Sequence, residues 1–127
     1  MNNTHIPRFL GFLLVLASFL TIGCDKTSTP PPSLTAAEIP AAFEKAFAKS
    51  KPEVKEVATQ VVTALQAKDY PNAFQGVQSL GALPSLTKQQ ASVISSALVT
   101  VNALMQEAQA QGDAKAAQAI QHYKANK

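Results

Sequence analysis

Thr87-Lys88-Gln89-Gln90-Ala91-Ser92-Val93-Ile94-Ser95-Ser96-Ala97-Leu98-Val99-Thr100-Val101-Asn102-Ala103-Leu104-Met105-Gln106-Glu107-Ala108-Gln109-Ala110-Gln111-Gly112 is the stretch that decides the fold. Within it Ile94, Leu98, Val101, Met105 and Ala108 step by 4, 3, 4 and 3 residues. That spacing lines one face of an α-helix and suits packing along a neighbouring helix. Thr87 with Gln90 is a capping-box start, and the helix is expected to run to Gly112, ~36 Å at 1.5 Å per residue. Val99-Thr100-Val101 is the only β-leaning triplet, and it sits inside this seam, so no strand is predicted.

Working toward the N-terminus, the pattern stays helical: apolar residues recur at helical spacing, alanine is abundant and glycine sparse. Asp69-Tyr70-Pro71 opens a helix that buries Ala73, Phe74, Val77 and Leu80, with Gly81 closing it. Ser50-Lys51-Pro52-Glu53 opens another, with Ser50 as N-cap, that places Val54, Val57, Ala58, Val61 and Leu65 on one face. Ile39, Ala42, Phe43, Ala46 and Phe47 line a first, short helix. Thr35 with Glu38 has capping-box spacing, but Pro40 would then sit one position too deep, which moves the expected start toward Ile39. Beyond Gly112, Asp113 caps a last helix carrying Ala116, Ala117, Ile120 and Tyr123. The prediction is an all-α domain over residues 35–127, a small antiparallel bundle of about five helices built from α-hairpins. Phe43, Phe47, Val61, Leu65, Phe74, Val77, Leu98 and Val101 are its expected core.

One turn carries a resemblance. Lys68-Asp69-Tyr70-Pro71-Asn72-Ala73 is similar to the inter-helix turn of a tetratricopeptide repeat, in which a small alanine lets the second helix pack closely. The likeness covers one helix pair, Pro52 to Leu80. Lys68 stands where the family has glycine, and no second copy follows at 34 residues. What the resemblance implies is an α-hairpin, not a peptide groove.

The other end of the chain reads differently. Phe9 to Ile22 is an apolar run of 14 residues, below the ~18–20 that span a bilayer comfortably. It leads into Leu20-Thr21-Ile22-Gly23-Cys24, with a small residue before the cysteine, and then into Asp25-Lys26-Thr27-Ser28-Thr29-Pro30-Pro31-Pro32-Ser33. Together these resemble a bacterial lipoprotein signal peptide with its lipobox, although Thr21 stands where leucine is usual. The resemblance implies cleavage after residue 23, a diacylglyceryl group and palmitate on Cys24, and a mature protein anchored to a membrane of the cell envelope. Asp25 resembles the inner-membrane retention signal of enteric lipoproteins, which puts the periplasmic face of the inner membrane ahead of the outer membrane. Residues 24–34 are expected to form a disordered, partly polyproline-like tether reaching ~30 Å at ~3.1 Å per residue.

Composition bounds what the mature part can do. Of the 11 basic residues only Arg8 precedes Cys24, and all 8 acidic residues follow it, so ten lysines face eight carboxylates, a net +2. That balance, with no arginine, excludes a nucleic-acid surface. Cys24 is the only cysteine, so no intramolecular disulfide is possible. After the signal segment His122 is the only histidine, too little for a zinc site or for an oriented general base. Glu53 and Glu56 share one side of a helix instead of opposing each other across a cleft. Ser95 and Ser96 lie mid-helix with no glycine elbow. No enzyme activity, no cofactor and no metal is expected.

The glutamines are the unusual feature. Gln89, Gln90, Gln106, Gln109 and Gln111 give the longest helix a polar side with only Lys88 and Glu107 as charges. Such a face can be desolvated at lower cost than lysine or glutamate, and Gln106 and Gln109 are the candidate partner contacts. The expected function is a structural or protein-interaction module tethered near a membrane. The competing expectation is a small-molecule or lipid-binding bundle with a cavity lined by Phe43, Phe47, Phe74 and Met105.

Overall fold

The computed structural model describes residues 33–126, all of whose regular structure is helical. Five helices follow one another: α1 (Ile39–Phe47), α2 (Pro52–Gln66), α3 (Tyr70–Gly81), α4 (Lys88–Ala110) and α5 (Ala114–Ala125). Consecutive helices pack on each other from α1 to α3, α3 packs on α4 and α4 on α5, while α1 also lies against α4. The all-α bundle expected from the periodicities is what the chain forms. The signal-like segment, Cys24 and most of the tether lie outside the described residues.

The helix starts follow from short-range chemistry, with one difference from the expectation. Thr35 donates through its N–H and its hydroxyl to Glu38 Oε2, both at 2.8 Å. The helix proper then begins at Ile39, which lets Pro40 occupy the first turn, where no N–H is needed. At α2, Pro52 is the first helical residue, so the extended cap position falls on Lys51, without a side-chain cap. Ser50 is therefore one residue too early to cap, and its Oγ instead accepts from Gln90 Nε2 of α4 at 3.0 Å. Gln90 does more than the capping box asked of it. Its N–H donates to Thr87 Oγ1 (3.1 Å) and its Oε1 accepts from the Thr87 N–H (2.9 Å). Its Nε2 also satisfies the Ala46 carbonyl at the end of α1 (3.2 Å).

Gly81 does not act as a left-handed stop. It is the last residue of α3, Ala82 caps in the right-handed region, and Gly112 is the one described glycine with positive φ, at 93°. Lys68 adopts the same left-handed region, with φ 58°. It does so at the position where the tetratricopeptide-like turn calls for glycine.

Two apolar clusters hold the bundle. The larger joins α1, α2, α3 and the first half of α4 around Ile39, Phe43, Phe47, Val61, Val77, Leu80, Ile94 and Val101. The smaller joins the second half of α4 to α5 through Met105, Ala108, Ala116 and Ile120. Tyr70 and Phe74 of α3 touch both clusters. Six of the eight expected core residues are buried, whereas Phe74 and Leu98 are half-buried. Phe74 lies at the border of the two clusters, where α5 covers it only in part. Its ring meets the edge of Tyr123 at 5.4 Å and 87°. Tyr123, read from spacing as packing, remains 38% exposed.

The folded part reaches back beyond its predicted limit. Leu34, assigned by sequence to the tether, packs against the larger cluster, and its carbonyl accepts from Thr100 Oγ1 of α4. This contact places Leu34 beside the middle of α4.

Candidate partner-binding groove

α4 and α5 diverge enough on one side to leave a groove of about 480 Å³. Its lining includes Gln106 and Gln109, the two glutamines singled out by sequence, together with Asn102 from the preceding turn. The spacing 102, 106, 109 places the three amides on one side of a helix. Met105 and Ile120, both buried, back the groove, and Tyr123 and Lys124 line it from α5. Among the described residues of the lining, Lys124 is the only Lys, Arg, Asp or Glu. Sequence reasoning had missed Asn102 and Lys124, although the i−4 relation of Asn102 to Gln106 was the available signal.

Beside this groove runs the outward side of α4. Ser92, Ser95, Val99 and Ala103 are exposed along it, and Val99 is 60% exposed, more than the side chain of any buried seam residue by a wide margin. Between Lys88 and Glu107 the helix carries no charge. The α1–α2 end of the molecule is the opposite, with Glu44, Lys45, Lys49, Lys51, Glu53, Lys55 and Glu56 crowded within thirteen positions of sequence.

A second concavity of about 610 Å³ lies between α1 and α2, with Phe43, Phe47, Ala58 and Val62 in its wall and Glu44 and Lys55 on it. The four residues proposed to share one apolar cavity are thus divided. Phe43 and Phe47 pack with their rings tilted by 45°, 5.5 Å between centroids, and line the α1–α2 groove, Met105 lines the α4–α5 groove, and Phe74 lines neither.

The remaining sequence candidates are dispersed. Cys24 lies outside the described residues. His122 is exposed on α5 with Asn126 one turn away, its carbonyl accepting from Asn126 Nδ2 at 2.8 Å. Glu53 is exposed, and Glu56 accepts from Gln60 on its own helix at 3.4 Å. Ser95 is exposed whereas Ser96 is buried, its carbonyl taking a second bond from Thr100 Oγ1 at 3.2 Å. Among the described residues no three His, Cys, Asp or Glu side chains are grouped so as to hold a metal ion. No helix among them is long and apolar enough to cross a membrane. At Glu38 the Thr35 N–H and then the Thr35 hydroxyl hold the carboxyl below its ordinary range. No protein-family model, no curated protein and no solved structure matches the chain.

Proposed function

We propose that this chain is a membrane-tethered helical lipoprotein of the cell envelope whose folded part binds another envelope protein, without catalysing a reaction. The observation that carries the reading is the surface of α4. Its outward side is uncharged over five turns, exposes Val99, and opens onto the amide-lined groove at Gln106 and Gln109. Uncharged polar surface is cheaper to strip of water than ionised surface, which is why interface centres are depleted in charge. The lipobox-like segment ending at Cys24 supports an anchor in the periplasmic leaflet of the inner membrane. A tether of ~30 Å would carry the domain clear of the headgroups. Confinement near one surface raises effective concentration, so a modest contact suffices.

The test is capture of partners from native membranes by the full-length chain. Gln106→Lys with Gln109→Glu should cut capture at least tenfold while leaving stability within ~0.5 kcal/mol, as for exposed positions generally. Cys24→Ser should abolish fatty-acid labelling and leave a soluble or uncleaved product, since no other cysteine can carry the diacylglyceryl group. Normal capture by the glutamine variants would remove the α4–α5 surface from consideration.

The α1–α2 groove supports a second reading, a small apolar ligand against Phe43 and Phe47. Both rings are almost fully buried by protein already, so a ligand there would gain little new apolar contact. Thr59→Trp at the groove's exposed wall should leave function intact on the first reading and abolish it on the second.

A further inference from the structure

We infer that the α4–α5 groove takes an extended segment of a partner protein bearing an acidic side chain, its main chain held by Asn102, Gln106 and Gln109 and its carboxylate by Lys124. This rests on the binding function proposed above and names the chemistry of the partner.

The argument begins with the amides. A primary amide donates through its nitrogen and accepts through its oxygen, so it can answer both the C=O and the N–H of a peptide unit. Asn102 to Gln109 spans seven residues of helix, ~10.5 Å along the axis. An extended chain rises ~3.3 Å per residue, so about three of its residues lie alongside. None of the three amides is hydrogen-bonded to another group among the described residues. Other glutamines are engaged: Gln60 with Glu56, Gln111 with Glu107, and Gln90 with Ser50 and the Ala46 carbonyl.

The apolar surface and the charge complete the match. Successive side chains of an extended segment point to opposite sides, so alternate ones can meet the ring of Tyr123, 38% exposed in the lining, while the others stay in water. Among the described lining residues Lys124 gives the groove a single positive charge, with no Asp or Glu beside it. A carboxylate on the segment is the complementary group, and its attraction weakens with salt. An apolar helix is a poor occupant, because it would desolvate three amides without offering them backbone partners.

The test uses the full-length chain in zwitterionic detergent and two pools of fluorescein-labelled decapeptides, blocked at both ends. Each pool has random uncharged residues around one central position, glutamate in the first and glutamine in the second. Fluorescence anisotropy should show the glutamate pool binding at least fivefold more tightly at low salt, with the preference shrinking at 0.5 M salt. Lys124→Gln should erase the preference while the glutamine pool binds as before. Gln106→Ala with Gln109→Ala should weaken both pools at least tenfold, with an unchanged melting temperature confirming the fold. Equal binding of the two pools, or a preference that survives Lys124→Gln, would overturn the inference. So would a concentration-dependent dimer abolished by the same glutamine variants, which would assign the groove to a second copy. If charge variants at Gln106 and Gln109 lose native capture while neither pool binds, the groove receives a folded surface. This inference then falls and the proposed function stands. If native capture is unaffected as well, both fall.

Discussion

In the turn between α2 and α3 the Asp69 N–H reaches back to the Ala64 carbonyl at 2.8 Å, and the Lys68 N–H bonds to the Leu65 carbonyl at 3.1 Å. Between α4 and α5 the Asp113 N–H bonds to Ala108 at 2.9 Å and the Gly112 N–H to Gln109 at 3.0 Å. Both are Schellman closures with a left-handed residue at their centre. In both, the aspartate that ends one helix caps the next, Asp69 through the Asn72 N–H and Asp113 through the Lys115 and Ala116 N–H groups. The two hairpins then diverge. α2 and α3 close tightly over a branched apolar core, with Gly76 so near Val61 that a Cβ there would lie 2.6 Å from its Cγ2. α4 and α5 meet through alanines, one methionine and one isoleucine, and leave an open groove beside them. The same turn therefore serves two ends. A hairpin with large side chains fills its own interface and stabilises the domain, whereas one with small side chains leaves surface for something else.

The sharpest way to break this comparison is to delete a large side chain from each half. Phe43→Ala, at 1% exposure in the larger cluster, should cost ~3–5 kcal/mol and melt the whole bundle in one transition. Ile120→Ala in the smaller cluster should cost only about 2 kcal/mol, with hydrogen exchange accelerating in α5 ahead of the rest. Exchange that accelerates uniformly in both variants would mean that the two clusters are one cooperative unit.

Gly76→Ala probes the tight hairpin alone. Val61 is buried and β-branched, with little rotamer freedom to retreat, so the added methyl should cost about 1–3 kcal/mol by denaturant titration. A neutral result would mean that α2 and α3 can slide apart, and the contrast with α4–α5 would lose its basis.

The two left-handed positions give a smaller, paired effect of opposite sign. Lys68→Gly should raise stability by about 1 kcal/mol, because glycine reaches φ near +58° without a Cβ penalty, less what it loses in the unfolded chain. Gly112→Ala should lower stability by about 1 kcal/mol for the same reason. Thermal melts of both variants check the signs, and the same sign in both would show that the turns are not equivalent.

The smallest effect belongs to Glu38, outside both hairpins. Its carboxyl is depressed by the Thr35 N–H and hydroxyl. The stability it contributes is therefore complete above the ordinary glutamate range and lost as pH falls through the lower, folded value. Glu38→Gln should lower stability slightly near neutrality and match the unsubstituted protein at low pH, so that the acid limb of the stability profile flattens.

Much of this architecture was legible in the residues. Thr87 with Gln90, Asp69 before Pro71, and Asp113 after Gly112 mark helix starts because capping needs only a side chain within three positions of the N–H it satisfies. The seam from Ile94 to Ala108 shows in its period because a helix repeats every 3.6 residues whatever it packs against. Ser50 misled for a local reason: the proline two residues on fixes where the helix begins, and so decides which residue is the cap. Gln106 and Gln109 stood out by composition, yet Asn102 and Lys124 entered the groove only when α5 was laid against α4.

What the sequence determined by itself is the set of helices, their starts, and the uncharged side of the longest one, since all three depend on neighbours within about two turns. Only the tertiary structure decided that Gln90 ties α4 to α1, that Leu34 is held at Thr100, and that Phe74 belongs to a border and Tyr123 to the surface. It alone placed three amides and one lysine around a shared groove. Those outcomes join residues up to 66 positions apart. They depend on which faces meet and how far large or small side chains hold them apart, which no local spacing records.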